Sequence, residues 1–202
     1  GELFHMKELI IATKNEGKMK DFKRLFDPLE IKVSSLLDLA EPIDDIEETG
    51  TTFEENAAIK AEAICEKFNI PVIADDSGIE IDALQGAPGV YSARYAGEEK
   101  DDKANLEKVL TEMKNVPQAE RTGRFVCVLA IAQPGKQTVF KRGECEGTIG
   151  YQAIGKNGFG YDPIFYPTGS SKTMAEMTPE EKNQISHRKK ALDKMENWVK
   201  QL

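Results

Sequence analysis

The stretch Ile73-Ala74-Asp75-Asp76-Ser77-Gly78 is an apolar run that ends in two adjacent carboxylates. Residues 70–74 predict a buried strand, and residues 79–82 alternate as a second, half-exposed strand. Because a buried sheet tolerates charge poorly, we expect paired aspartates at a strand end to face solvent. Two such carboxylates can hold Mg²⁺ and take up a proton. The alternative is an Asp-Ser-Gly turn that only ends the strand.

Strands and helices alternate on both sides of this stretch. Residues 9–12 and 125–132 predict buried strands, and Pro134-Gly135 turns the second of these into a partner at 137–144. Helical spacing predicts helices at residues 15–26, from 52, at 102–114 and from 178 with a break near 186. This order predicts an α/β fold with a mixed sheet. We expect one domain over residues 6–202, with residues 1–5 as a vector-derived extension.

Composition limits the classes of ligand. The chain has 27 Lys and Arg against 35 Asp and Glu, a net charge of −8. An acidic balance disfavours nucleic acid polymers, whose binding depends on cation–phosphate contacts. No apolar run reaches the roughly 20 residues of a membrane span, so no membrane partner is expected. The three cysteines are far apart and form no Cys-x-x-Cys pair, which favours a reduced, cytoplasmic setting.

A polar segment joins the first predicted strand to the first predicted helix. Backbone N–H groups at a helix start, with a lysine beside them, can bind phosphate. The segment resembles part of a P-loop, but Ala12 and Met19 replace two required residues and exclude that motif. A polar loop without a ligand is the alternative. The candidate phosphate-binding residues are Thr13, Lys14, Asn15, Glu16, Gly17 and Lys18.

Acidic residues precede the second predicted helix. Glu47 and Glu48 lie before it, and Lys60 lies within it. One glutamate could join Asp76 on a metal ion while Lys60 reaches a phosphate. Alternatively, the glutamates only complement the helix dipole.

Aromatic and basic residues form two later candidates. Phe159 and Tyr161 occupy a glycine-rich loop and can stack on a planar ligand, or plug the core beneath the loop. Lys182 and Ser186-His187-Arg188 bring donors to the last predicted helix, where a solvated charged face is the alternative.

Six blocks, in chain order, resemble the inosine triphosphate pyrophosphatase family. Each block alone is a weak signal, but six in order are highly specific, and they extend from about Met6 to the C-terminus. The blocks are Thr13-x-Asn15-x-x-Lys18, Glu47-Glu48-Thr49-Gly50-x-Thr52-Phe53-x-Glu55-Asn56-Ala57, Ala74-Asp75-Asp76-Ser77-Gly78, Gly86-Ala87-Pro88-Gly89-Val90-Tyr91-Ser92-Ala93-Arg94-Tyr95, Gly158-Phe159-Gly160-Tyr161-Asp162-Pro163-Ile164-Phe165 and Ser186-His187-Arg188.

The resemblance implies a homodimeric α/β protein with an elongated mixed sheet and a nucleotide cleft between two lobes. It implies hydrolysis of ITP, dITP and XTP to the nucleoside monophosphate and pyrophosphate. Mg²⁺, one per subunit, is the implied cofactor, with Mn²⁺ as a substitute. Such an enzyme removes non-standard purine nucleotides from the nucleotide pool.

The resemblance also implies roles for single residues. Asp76 matches the proton acceptor and a metal ligand, Glu47 matches the second ligand, and either Asp75 or Asp76 would activate the water. The implied phosphate- and base-binding set comprises residues 13–18 with Ser77, Phe159, Gly160, Tyr161, Asp162, Lys182, His187 and Arg188, and Lys60 is added as the phosphate-binding candidate of the second helix.

Two other readings stay open at this point. A nucleotide-binding regulator would keep the binding residues without turnover, although the Asp75-Asp76 pair argues against it. A phosphatase for pyrimidine nucleotides or sugar phosphates would not need the base-recognition set.

Overall fold

The computed structural model describes residues 8–200, so the predicted extension at residues 1–5 lies outside the described residues. Its sheet has six strands: β1 Glu8–Ile11, β2 Lys32–Ser35, β3 Val72–Ile81, β4 Thr122–Ala132, β5 Val139–Ile149 and β6 Phe165–Pro167. Their order across the sheet is β2-β1-β3-β4-β5-β6. Strand β1 pairs in parallel with β2 and β3, whereas β5 and β6 are antiparallel. The predicted mixed α/β fold is confirmed.

The helices of the described chain begin close to the predicted positions. They are α1 Glu16–Phe26, α2 Phe53–Phe68, α3 Asp102–Glu112, α4 Pro179–Ile185 and α5 His187–Lys200. Polar side chains fix the starts of three of them: Asn15, Thr52 and Thr178 each accept a hydrogen bond from a backbone N–H in the first turn. Ser186 separates α4 from α5, as the sequence predicted, and its hydroxyl accepts from the Lys189 N–H at 3.1 Å.

The predicted strand end at Asp75-Asp76 is wrong, and so is the alternative of a terminating turn. Strand β3 continues without interruption from Val72 to Ile81. Its apolar residues are buried at both ends, while the residues in the middle are partly or fully exposed. The aspartates remain in extended backbone because the middle of β3 gives them access to solvent and to cations, so no turn is needed to expose them.

Strands β2 and β6 were not predicted. They have four and three residues, too few for an alternating pattern to stand out from a loop. Strand β5 also extends five residues beyond the predicted end at 144, since it reaches Ile149.

The chain divides into two compact units. The first unit contains the described residues up to Asp76 together with 128–142 and 191–200, and the second contains Ser77–Cys127 and Gly143–Lys190. The apolar faces of α1 and α2 supply buried residues to the first unit, including Phe22, Ala57 and Ile64. Buried side chains of β3, α3 and β6 form one hydrophobic cluster in the second. Among residues 8–200, no helix is long and apolar enough to cross a membrane.

Candidate active site

Parallel pairing of β1 with β3 brings two polar segments together in the first unit. Ile10 and Ile11 pair with Val72 and Ile73, and the Ala12 N–H donates to the Ile73 carbonyl at 2.8 Å. The residues that follow β1 therefore lie beside the residues that follow Ile73. As a result, Lys18 Nζ contacts Asp75 Oδ2 at 2.7 Å although 57 positions separate them in sequence.

The segment between β1 and α1 is an ordered turn with an exposed outer side. Thr13 is buried, and its hydroxyl accepts from the Asn15 N–H at 3.1 Å. Asn15 Oδ1 in turn accepts from the Lys18 N–H at 3.1 Å and starts α1. The other members of the predicted set, Lys14, Glu16 and Gly17, are exposed. This arrangement presents the positive end of the α1 dipole to solvent beside the Lys18 side chain.

Asp76 is the most strongly perturbed carboxyl of this cluster. Burial, then the negative charge of Glu48, raises the pKa of Asp76 from 3.8 to about 7, and Asp75 adds to the increase. The Lys60 charge and the Asn56 amide act in the opposite direction. Asp76 Oδ2 is buried and makes no hydrogen bond within the described chain. A buried oxygen in this state is suited to a proton or a cation as its partner.

Helix α2 and the segment before it supply the groups that act on Asp76. The Gly50 N–H donates to Asn56 Oδ1 at 2.7 Å, so the amide nitrogen of this fully buried asparagine is directed away from Gly50. Lys60 Nζ lies 3.2 Å from Glu48 Oε1. Glu48 thus lies within electrostatic reach of both Lys60 and Asp76.

Two other predicted residues, Glu47 and Ser77, are exposed to solvent. Glu47 is exposed and is not among the charges that shift the pKa of Asp76. Ser77 directly follows Asp76 on β3 and is exposed. The two glutamates have the same sequence signature, and only the fold separates the partly buried Glu48 from the exposed Glu47.

The donor set fits a magnesium ion that is completed by water and substrate. Within residues 8–200, no group of three metal-binding side chains of the His, Cys, Asp and Glu types converges on one point. Proteins usually bind Mg²⁺ through one or two carboxylates together with waters and substrate phosphates, not through a complete protein cage. Asp76, with its unpartnered oxygen, and the neighbouring Glu48 provide such a pair.

A second cluster of predicted residues lies in the second unit. Lys182 Nζ contacts Asp162 Oδ2 at 2.6 Å, and the same oxygen accepts from the Phe159 N–H at 3.2 Å. Lys182 Nζ also lies 4.9 Å from the centre of the Phe159 ring, which is 76% exposed. Asp162 itself is buried. The cluster therefore presents an exposed aromatic face with an ammonium group beside it.

The backbone of this loop is fixed by hydrogen bonds and by glycine. Gly158 has φ +73°, and a Cβ on it would lie 2.1 Å from Asp162 Oδ2, so a larger residue would be strained and would displace the Asp162 carboxylate. The Gly160 N–H donates to Asp102 Oδ2 at 3.2 Å. Tyr161 is buried and donates its hydroxyl hydrogen to the Ser92 carbonyl at 2.6 Å. Of the two loop aromatics, Tyr161 anchors the loop and Phe159 is exposed.

His187 begins α5 and is held against the core. Its ring stacks on Phe125 with centroids 5.0 Å apart and planes inclined by 16°. Burial, followed by the charges of Lys182, Arg188 and Lys190, lowers the pKa of His187 to about 4. The ring is thus neutral at neutral pH and has one nitrogen donor and one nitrogen acceptor. Its Nδ1 is buried and has no partner within the described chain.

The sequence left Glu48 as an alternative to Glu47 for the metal and assigned no functional role to Asn56 or Asp102. Asn56 is fully buried, and an asparagine on the inner face of a helix otherwise rich in alanine was the available signal for it. Asp102 gave no comparable signal, because acidic residues in the first turn of a helix are common.

The sequence profile of the Ham1 family matches residues 9–198. The chain belongs to the Ham1 family. Two of its relatives are named dITP/XTP pyrophosphatase. The protein from Oceanobacillus iheyensis is 63% identical over 194 residues, covering 96% of this chain and 98% of the relative. The protein from Bacillus subtilis is 55% identical over 190 residues, covering 94% and 96%.

Solved structures of Ham1 proteins have the same fold. The Staphylococcus aureus Ham1 protein is 47% identical, covers 96% of this chain and 98% of its own, and superimposes with a TM-score of 0.90. A HAM1 protein from Coxiella burnetii is 40% identical, covers 98% and 100%, and has a TM-score of 0.91. The resemblance drawn from the six sequence blocks is confirmed at the level of family and fold.

Proposed function

We propose that this Ham1 protein hydrolyses dITP, ITP and XTP between the α- and β-phosphates, releasing the nucleoside monophosphate and pyrophosphate. The observation that carries the proposal is Asp76, a partly buried carboxyl whose buried Oδ2 has no partner within the described chain and whose pKa is raised to about 7. The names of the relatives from O. iheyensis and B. subtilis support the choice of substrates. The enzyme would remove non-standard purine nucleotides from the pool.

In this proposal Asp76 accepts the proton of the attacking water. The water oxygen forms a bond to the α-phosphorus while the bond to the bridging oxygen breaks, and that oxygen leaves with pyrophosphate. A general base is most effective when its pKa lies close to the working pH. Without a bound metal ion, the Asp76 carboxyl with its pKa of about 7 meets this condition at neutral pH, whereas an ordinary aspartate with a pKa of 3.8 is a weaker base.

Mg²⁺ is the proposed cofactor, and Mn²⁺ is a proposed substitute with the same oxygen preference. Asp76 and a glutamate from the segment before α2 would hold it, and the partial burial of Glu48 favours this residue over Glu47. When bound, the ion would offset negative charge on the phosphates and on the departing pyrophosphate.

Cations of the first unit would bind the triphosphate. Lys18 lies beside the start of α1, where Asn15 caps the helix and residues 14–17 are exposed. Lys60 lies 3.2 Å from Glu48 and so is part of the same charge cluster. Phosphate oxygens are favoured at a helix start and beside lysine, so this segment fits the anionic part of the substrate.

Groups of the second unit would recognise the base. Phe159 offers an exposed ring for stacking, and Lys182 lies 4.9 Å from the centre of that ring. Hypoxanthine and xanthine have an oxygen at C6, whereas adenine has an amino group there. A donor aimed at this oxygen would be left unpaired by adenine, which can give discrimination of about 10⁴ or more. Lys182 and Arg188 are the proposed donors, with neutral His187 beside them.

We also propose a homodimer in the cytoplasm, as the family resemblance implies. All three cysteines are buried as thiols, which suits a reducing compartment. Gel filtration with light scattering would measure the mass, and a value near the monomer mass of 22.5 kDa would contradict the dimer.

The direct test is product analysis by anion exchange after incubation with dITP and Mg²⁺, with dATP and dGTP in parallel. We expect dIMP and pyrophosphate from dITP, with dATP largely unchanged, and dGTP, which shares the C6 oxygen, tests whether the site also rejects a C2 amino group. Release of dIDP and phosphate would place the attack at the γ-phosphorus and contradict the proposal. Binding of dITP without any turnover would favour a nucleotide-binding regulator instead.

A further inference from the structure

The two aspartates of β3 have different surroundings. Asp75 Oδ2 contacts Lys18 Nζ at 2.7 Å, with side-chain exposures of 13% for the carboxylate and 30% for the lysine. Asp76 Oδ2, in contrast, has no hydrogen-bond partner within the described chain. Successive side chains of a strand point to opposite faces, so the two carboxylates do not share one direction.

We propose that Asp75 is a positioning residue that holds the Lys18 ammonium group for the triphosphate of the substrate. This inference rests on the proposed function and assigns Asp75 a role separate from water activation by Asp76. A short bond between charged partners restricts a side chain that otherwise has four rotatable bonds.

The Lys18 side chain needs a partner that restricts its conformation. Its backbone N–H is already fixed by Asn15 in the first turn of α1, but its long side chain can adopt many rotamers. Strand β3 is rigid because it is hydrogen-bonded within the sheet, so a carboxylate on it provides a fixed point. An ammonium held in advance loses less entropy when a phosphate binds.

Asp75 also has an opposing effect on substrate affinity, so the direction in which affinity changes in a variant distinguishes the two effects. Its negative charge repels an anionic triphosphate, so loss of the charge alone would tighten substrate binding. Loss of the positioning would weaken binding. If the positioning role is dominant, Asp75→Asn binds triphosphate more weakly, despite the removal of a negative charge.

The experiment compares wild type, Asp75→Asn, Lys18→Ala and the double variant. Steady-state kinetics with dITP and Mg²⁺ give KM and kcat, and calorimetry with inorganic tripolyphosphate measures phosphate binding without a base or turnover. We expect Asp75→Asn to raise KM and weaken tripolyphosphate binding by about tenfold, with a smaller change in kcat. In the Lys18→Ala background the same change should have no further weakening effect, because the group to be positioned is gone.

Two variants serve as controls. Asp75→Glu keeps the charge and should restore part of the lost affinity. Glu196→Gln breaks the 2.8 Å ion pair with Lys200 on α5 and should leave KM unchanged. Thermal unfolding of each variant shows whether lost binding reflects lost folding.

Several results would overturn the inference. Tighter tripolyphosphate binding by Asp75→Asn would show that the charge acts only through its field. An equal loss of kcat in both Lys18 backgrounds would show that Asp75 acts on the water. If wild type gave no dIMP from dITP, the proposed function would be wrong. The positioning role has a separate test, because unaltered tripolyphosphate binding by Asp75→Asn would contradict it whether or not the protein hydrolyses dITP.

Discussion

Arg121 in the second unit and Asp76 in the first are both charged groups withdrawn from water, yet their surroundings differ completely. The side chain of Arg121 is fully buried and donates to four backbone carbonyls, those of Met113, Val116, Ile149 and Gly150, at 2.5 to 3.0 Å. Its guanidinium carbon also lies 3.9 Å from the centre of the Tyr151 ring. Asp76 retains a buried oxygen without any partner in the described chain.

This difference separates a structural charge from a functional one. Burial lowers the pKa of Arg121, but its planar donors fit the surrounding carbonyls and keep the charge stable. Burial and Glu48 instead raise the pKa of Asp76 to about 7, and Lys60 and the Asn56 amide offset this rise only in part. A buried charge with its hydrogen-bonding capacity filled connects chain segments, whereas one that is left unsatisfied is available for a substrate, a proton or a metal ion.

The largest expected effect comes from Asp76→Asn, which keeps the shape of the side chain and removes the base. We expect turnover of dITP to fall by about a thousandfold or more, within the range of general-base contributions. Measurement of dIMP release, with circular dichroism to verify folding, tests whether Asp76 has the catalytic role. Turnover at the wild-type rate would show that Asp76 is not the base.

Arg121→Met should have the largest effect on stability. The substitution removes the Arg121 donor from four carbonyls, of which those of Met113 and Ile149 are in buried hydrogen bonds, and we expect a loss of about 3 kcal/mol in the free energy of unfolding. Urea denaturation provides the measurement. Arg124→Met is the matched control, because Arg124 pairs with the carboxylates of Asp82 and Glu146 at 2.9 Å near solvent and should cost only about 1 kcal/mol. Equal losses of unfolding free energy in the two variants would show that the buried contacts of Arg121 stabilise the fold no more than the exposed ion pairs of Arg124.

Asp76→Asn should also increase stability in a pH-dependent manner. Because the pKa is raised from 3.8 to about 7 on folding, the folded wild type holds a proton between these values that the unfolded chain has lost. The stability contributed by the neutral carboxyl is therefore complete below about pH 4 and is lost as pH rises to about 7.

The asparagine variant does not have this loss. In EDTA we expect its free energy of unfolding to exceed that of wild type by about 4 kcal/mol at pH 8, with the difference disappearing near pH 4. Urea denaturation across this pH range gives both values. A constant difference at every pH would mean that Asp76 does not titrate with a raised pKa.

The smallest predicted effect tests Lys60. Its charge lowers the pKa of Asp76, so Lys60→Met should move the midpoint of the stability profile of wild type in EDTA to higher pH. Lys67→Met on the same helix is the control. Lys67 pairs with Glu41 at 3.7 Å among exposed side chains, and its loss should leave the midpoint unchanged. A shift of the same size in both variants would indicate only the change in net charge.

Much of the fold could be predicted from local patterns. Asn15, Thr52 and Thr178 mark helix starts through chemistry within the first turn, and the structure has helices at these positions. The continuation of β3 beyond Ala74, through Asp75 and Asp76, could not be predicted in the same way. Whether a charged residue ends a strand depends on what faces it, and here Lys18 reaches Asp75 from 57 positions away.

In the candidate active site, too, some features could be predicted from sequence and others depend on tertiary contacts. Sequence alone provided the residue types, the six ordered blocks and the family, because these depend on the identity and order of residues. Only the tertiary structure separated Asp75, paired with Lys18, from Asp76, and the partly buried Glu48 from the exposed Glu47. Burial and the distances between charges set a pKa and a partner, and both arise from contacts between residues that are distant in sequence.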